Sequence, residues 1–190
     1  SRLGTNRGVA LLGNKIYFVT DNAHLLALDR ATGRLLWETV MPPPAPAGEQ
    51  HFYGGTVAPL IVHDTVVAGV AGADAGIRGF VAAFNAETGA LVWRRWTVPR
   101  KGEPGIETWQ GSEPIRGGGS TWLTGSYDPS SDTLYWATGN PWPGGDDRDR
   151  RRHRRRRDAH GARPEDRRHH RVAGRRLPVP DGRVFSSGGV

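Results

Sequence analysis

Leu25-Leu-Ala-Leu-Asp-Arg-Ala-Thr-Gly-Arg-Leu-Leu-Trp37 returns 56 residues later as Val81-Ala-Ala-Phe-Asn-Ala-Glu-Thr-Gly-Ala-Leu-Val-Trp93. Asp29, Thr32, Gly33 and Trp37 recur as Asn85, Thr88, Gly89 and Trp93. Each copy reads as a β-hairpin. Asp or Asn opens the turn by bonding its own backbone, and Gly takes the left-handed position that closes it. Leu35 and Trp37, like Leu91 and Trp93, then alternate onto one buried face.

A further strand precedes each hairpin, at 16–20 and 66–70, and a third related strand is expected at 134–138 after the turn Asp128-Pro-Ser-Ser-Asp132. Four-stranded units repeating with a Trp at one strand position point to an all-β fold, a partial β-propeller of about three blades. The competing architecture is a two-sheet sandwich with coincidental hairpins. A blade buries its faces only against neighbours, so an array this short is expected to be marginally stable alone.

Composition divides the 190 residues near Gly145. Residues 1–145 hold 11 Lys/Arg and 12 Asp/Glu, a net of −1, and all seven Trp lie at or before position 142. Residues 146–190 hold 15 Arg and 7 acids, a net of +8, with Phe185 as the sole aromatic. The overall +7 therefore describes neither part. We read 1–145 as the propeller fragment and 146–190 as a basic, low-complexity tail, either disordered or read out of frame from about 148 or 152, with Pro180-Asp-Gly-Arg-Val-Phe-Ser-Ser-Gly-Gly189 again hairpin-like. A nucleic-acid-binding arm is the rival reading of the Arg run. There is no cysteine, so disulfides and thiolate metal sites are excluded from this chain. No apolar stretch approaches the length of about 18 residues that a membrane helix needs. The chain opens in mid-pattern with Ser1 and is expected to be an internal fragment.

The repeat is broken at one rim. Asp21-Asn-Ala-His24 links the paired strands of the first copy, and the ten residues Ala71-Gly-Ala-Asp-Ala-Gly-Ile-Arg-Gly-Phe80 link those of the second. Glycines there allow close backbone approach, and the lone carboxylate of Asp74 suits a hard cation. An elaborated surface turn explains the same residues without a ligand. Asn140, in Gly139-Asn140-Pro141, falls on the same rim in another blade, where its amide oxygen suits calcium together with Asp74. Gly117-Gly-Gly-Ser-Thr-Trp122 marks a tight approach of chain or ligand, with Trp122 placed to offer a ring face or to pack between blades. Arg7 is either a carboxylate-binding fork or a solvated side chain.

Thr5-Asn-Arg-Gly-Val-Ala10, Gly54-Gly-Thr-Val-Ala-Pro59, Gly69-Val-Ala-Gly-Ala-Asp-Ala-Gly-Ile-Arg-Gly79, Gly117-Gly-Gly-Ser-Thr-Trp122 and Ala137-Thr-Gly-Asn-Pro141 occur in this order. Together they resemble the pyrroloquinoline-quinone (PQQ)-dependent alcohol dehydrogenases, quinoproteins with an eight-bladed propeller, over about residues 2–143. The resemblance implies that Asp74 and Asn140 bind Ca2+ (or a lanthanide). It implies that the quinone lies on Trp122, that Arg7 and Thr56 contact it, and that Gly72, Ala73 and Ser120 line its site. It further implies an alcohol substrate, a cytochrome c-type electron acceptor and a periplasmic location, with no specific nucleic-acid partner.

The sequence also departs from that family. Ser1 and Arg2 fall where a vicinal disulfide is common, Ala71 replaces a frequent serine, and Asp74 is one methylene shorter than the usual Glu. The family's catalytic aspartate sits in a Pro-His-Asp-like motif that this chain lacks, and no catalytic residue is assigned. The chain alone is therefore expected to be inactive. A non-enzymatic propeller scaffold accounts for the hairpins but not for the Asp74 insertion, the glycines before Trp122 or the Gly-Asn-Pro segment.

Overall fold

The computed structural model describes residues 4–45, 47, 51–108 and 117–141, together with strand backbone at 176–178 and 184–186. Its strands form three four-stranded sheets, the successive blades of a partial propeller. The first blade runs β1 (Ala10–Leu12), β2 (Lys15–Val19), β3 (His24–Asp29), β4 (Leu35–Val40). The second runs β5 (Leu60–Val62), β6 (Thr65–Gly69), β7 (Phe80–Asn85), β8 (Leu91–Trp96). Both are antiparallel meanders in sequence order.

The repeat extends to detail. Asp29 Oδ1 accepts from the Thr32 amide at 2.8 Å and the Thr32 hydroxyl at 2.7 Å. Asn85 Oδ1 accepts from Thr88 in the same way at 3.0 and 3.2 Å. Gly33 and Gly89 close the turns at φ 71° and 73°, a region open to glycine without penalty. The hairpin register slips at the same point in both copies, between Ala27 and Leu28 and between Ala83 and Phe84. The extra residue strengthens local twist, which a blade needs.

The core lies between the blades. Tyr17, Val19, Leu25 and Met41 of the first are buried against Val66, Val67, Phe80 and Phe84 of the second. The seam is locked by the second hairpin turn. Ala86 O accepts from Tyr17 Oη at 3.1 Å and from Trp37 Nε1 at 3.2 Å, and the Thr39 hydroxyl donates to Gly89 O at 2.8 Å. A Cβ on Gly89 would lie 2.6 Å from the Trp37 ring. Trp37 thus seats on Gly89 of the next blade.

The third sheet has the order β11 (Arg176–Pro178), β12 (Val184–Ser186), β10 (Thr133–Tyr135), β9 (Ser126–Asp128). Its β10–β12 pair is parallel, unlike any pair in the first two blades. Two short strands from the basic segment thus join this sheet; the remainder of 146–190, including the expected frame discontinuity, lies outside the described residues. The strand expected at 134–138 is shorter than the pattern suggests. Ser126↔Tyr135 is the last pair of its ladder, and from Trp136 onward the chain bonds to residues 119–121 instead. Among the described residues no helix is long and apolar enough to cross a membrane.

Candidate functional site

One rim of the blades opens into a cavity of about 880 Å³. Its wall is made by the β6–β7 connection, the segment leading into β5, the glycine-rich segment before Trp122, and residues near Arg7 and Asn140. All eight side chains or backbones singled out from the sequence, Arg7, Thr56, Gly72, Ala73, Asp74, Ser120, Trp122 and Asn140, line it.

The β6–β7 connection is shaped by glycine. Gly72 has φ 117°, and a Cβ there would lie 2.6 Å from the Phe52 carbonyl oxygen. Ala73–Ala75 then form a single 3-10 turn, capped by Gly76 at φ 71° with its N–H on Ala73 O at 2.9 Å. Asp74 stands exposed on this turn at the cavity wall. Gly54 and Ala71 exchange backbone hydrogen bonds of 2.9 and 2.7 Å, tying the turn to the segment that carries buried Thr56.

The glycines at 117–119 mark close approach of chain to chain. Gly118 N donates to Ile77 O at 2.8 Å, Gly79 N to Gly118 O at 2.7 Å, and Gly119 N to Asn140 O at 2.8 Å. A Cβ on Gly79 would overlap the Gly119 carbonyl. Gly139 N donates to Ser120 O at 2.6 Å, so this strap fixes Ser120, Trp122 and Asn140 together. Thr121, not singled out from the sequence, completes the fixation. Its fully buried hydroxyl donates to Phe80 O at 2.5 Å and accepts from Val70 N at 2.9 Å. The Ser-Thr pair after three glycines was its only sequence signal.

Arg7 reaches the cavity because Asn6 pins its loop, donating to Val19 O at 3.0 Å and accepting from Gly8 N at 2.8 Å. Arg7 Nη1 donates to Thr56 O at 3.1 Å, the guanidinium lies 4.8 Å from the Trp122 ring centroid, and the Thr56 hydroxyl donates to Trp122 O at 3.2 Å. Also on the wall are Asp21 and His24 of the first blade and His51, Phe52 and Tyr53. Asp21 and His24 belong to the short rim link of the first repeat copy, whereas no repeat or motif marked the last three, because the linker that carries them has no counterpart elsewhere in the chain. Burial pushes the Tyr53 phenol above its usual pKa, and its hydroxyl donates to Arg78 O at 2.9 Å. Arg78 itself is buried behind the wall, where burial disfavours its charge. It donates to Val98 O at 2.7 Å and to Glu103 Oε2 at 2.5 Å, so it braces the connection from behind.

The donor set suits a hard cation: Asp74 brings a carboxylate and Asn140 an amide oxygen to one wall. Among the described residues no three His, Cys, Asp or Glu gather into a metal cluster. An ion held here would take two side-chain oxygens from these residues and its other ligands elsewhere. The aromatic face of Trp122, a guanidinium and the hydroxyl of Ser120 fit a flat, anionic, oxygen-rich molecule.

The family model for the PQQ glucose/ethanol/alcohol dehydrogenase β-propeller domain matches residues 41–157. The quinohemoprotein alcohol dehydrogenase ADH IIB of Pseudomonas putida is 42% identical over 163 residues, 75% of this chain and 23% of that protein. The lanthanide-dependent methanol dehydrogenase of Methylacidiphilum fumariolicum is 36% identical over 154 residues, 72% of this chain and 24% of that protein. A europium-containing methanol dehydrogenase superimposes with TM-score 0.64 at 35% identity, over 72% of this chain and 26% of that one. The quinohemoprotein alcohol dehydrogenase of Comamonas testosteroni gives TM-score 0.64 at 34% identity, over 73% of this chain and 22% of that one. The chain spans about a quarter of the length of these relatives. It belongs to the PQQ-dependent alcohol dehydrogenase family, of which it carries part of the propeller.

Proposed function

We propose that this chain forms the cofactor- and metal-binding side of a periplasmic dehydrogenase that oxidises alcohols and passes electrons to a cytochrome c-type acceptor. The observation that carries this reading is the meeting of Arg7, Thr56, Trp122, Asp74 and Asn140 on one cavity wall, although they come from five separate stretches of sequence. Trp122 offers an apolar platform to a planar quinone. Arg7 offers a fork to a carboxylate, Ser120 adds a hydroxyl, and Thr56 lies beside the quinone with its own hydroxyl holding Trp122 O. Gly72 and Ala73 let the backbone approach closely, and Asp74 and Asn140 are the oxygen donors for Ca2+ or a lanthanide. When bound, the quinone supplies a hydride acceptor and the ion a Lewis acid that polarises it.

The chain's own residues bind, orient and desolvate. None of the assigned residues abstracts the alcohol proton, and the isolated chain is inactive on this reading. Titration of the 190-residue chain with PQQ plus Ca2+, followed by calorimetry, tests it. Saturable binding is expected, weakened by about tenfold or more in Trp122→Ala and made insensitive to Ca2+ in Asp74→Ala, since a two-ligand ion site does not survive loss of its carboxylate. Dye-linked alcohol oxidation should stay at the blank. Binding that ignores both substitutions would refute the assignment, and turnover would refute the inactivity.

A further inference from the structure

Two groups assigned to the quinone touch each other. The Arg7 guanidinium lies 4.8 Å from the Trp122 ring centroid, and its Nη1 is tied to Thr56 O at 3.1 Å. Trp122 is 38% exposed and lines the cavity. A guanidinium and a flat ligand cannot share one indole face. The cation–π contact at an exposed ring is worth a factor of only about two to five in an equilibrium, which a ligand can overcome.

We propose that Arg7 is a displaceable cap on the Trp122 face: it lies on the indole in the ligand-free chain, and a planar ring bearing a carboxylate lifts it off and takes it up edge-on as an ion-pair partner. The inference rests on the quinone reading of the same cavity. A carboxylated ring exchanges the cation–π contact for a charge-assisted hydrogen bond, whereas a neutral ring of the same shape displaces the cap without compensation. The cap therefore selects for planar acids. Thr56 serves both states. Its carbonyl holds the parked guanidinium, and its hydroxyl holds the Trp122 backbone at 3.2 Å, so the platform need not move when the cap does.

Acrylamide quenching of tryptophan emission in the full chain tests the cap, with Trp122→Phe isolating the share of Trp122. In Arg7→Ala the Trp122 quenching constant should rise about twofold or more, and in Arg7→Lys, which keeps the charge but not the planar fork, it should fall between. Unchanged quenching in Arg7→Ala overturns the proposal. Stopped-flow mixing with PQQ tests displacement. Arg7→Ala should associate at least as fast as the parent and dissociate about tenfold faster. Slower association would mark Arg7 as an ordinary steering charge and overturn the proposal. If the parent chain does not bind PQQ, the quinone reading falls and displacement with it, while the quenching result still decides whether Arg7 covers the ring. Should Arg7→Ala lose its native circular dichroism, Arg7→Lys carries both comparisons.

Discussion

In the second blade the glycine of the hairpin turn lies beneath the indole of the blade before it, and in the first, which has no blade before it among the described residues, the same glycine faces open space. A Cβ on Gly89 would meet Trp37 and the Thr39 hydroxyl within 2.8 Å, whereas one on Gly33 would meet nothing within 4 Å. The two turns are otherwise alike in φ and in their hydrogen bonds. The motif therefore has two jobs that the repeat alone does not separate. Asp or Asn, Thr and Gly make the turn; the Gly also makes a socket, which the Trp of the preceding blade fills. A second contrast lies on the opposite rim. A four-residue link joins β2 to β3, and a ten-residue link joins β6 to β7. The longer one carries Asp74. The half repeated between the two blades builds the array, and the half that differs builds the cavity.

Alanine at the two glycines should split turn from socket, and this is the largest effect expected. Gly33→Ala places a side chain in left-handed backbone and nothing more, a cost of about 1 kcal/mol. Gly89→Ala pays the same strain and also pushes Trp37 and Thr39 off the seam, for about 3 kcal/mol in all. Urea denaturation of the chain measures the difference. Equal losses would mean that Trp37 does not lock the blades.

Much of this is legible in the sequence. The two hairpins and their turn chemistry follow from the repeat, and the strand ends put Asp74 and Asn140 on one rim; gathering Arg7, Thr56, Gly72, Ala73, Ser120 and Trp122 there is what the family resemblance implies. The rest depends on contacts that spacing does not encode. Thr121 acts through a buried hydroxyl between two backbones, and beyond its place after three glycines nothing in the sequence distinguishes it from other threonines. The glycines before Trp122 signalled close approach but not its partner, which is Gly79 rather than a ligand. Strand 134–138 was overlong because apolar alternation continues after its partner strand has ended. The parallel pairing of β12 has no counterpart in the repeat at all.

A smaller effect probes the turns on the far side of each blade. Gly13 between β1 and β2 and His63 between β5 and β6 share the left-handed region, at φ 58° and 53°. The first blade uses glycine there; the second holds a histidine in strained backbone. His63 Nε2 lies 2.8 Å from Tyr127 Oη and 3.1 Å from Asp132 Oδ1, both in the third blade, and its ring packs edge-on against Tyr127. His63 thus exchanges local strain for a tie between blades. His63→Gly loses the tie but relieves the strain, leaving stability nearly unchanged. His63→Ala loses the tie and keeps the strain, and should be about 1 kcal/mol less stable than His63→Gly. If the two variants unfold together, the backbone at 63 relaxes and the strain is not stored there.

The smallest effect turns on the difference in the residue that caps the turn, Asp29 against Asn85. Hydrogen bonds from the Thr32 hydroxyl and amide hold the Asp29 carboxyl below its usual pKa. A depressed folded value means that the turn gains stability when the carboxylate is charged. That gain is complete above the ordinary aspartate value of about 3.9 and is lost as the pH falls through the lower folded value. Asn85 offers the same acceptor without a proton to gain. Between pH 5 and 2 the amide resonance of Thr32 should therefore titrate, with its midpoint below that of a free aspartate, while that of Thr88 stays flat. Asp29→Asn should flatten Thr32 as well without opening the turn, because an amide oxygen accepts the same bonds. A Thr32 resonance that ignores pH in the parent chain would mean that the Asp29 cap is not formed, and the likeness between the two turns would then end at their glycines.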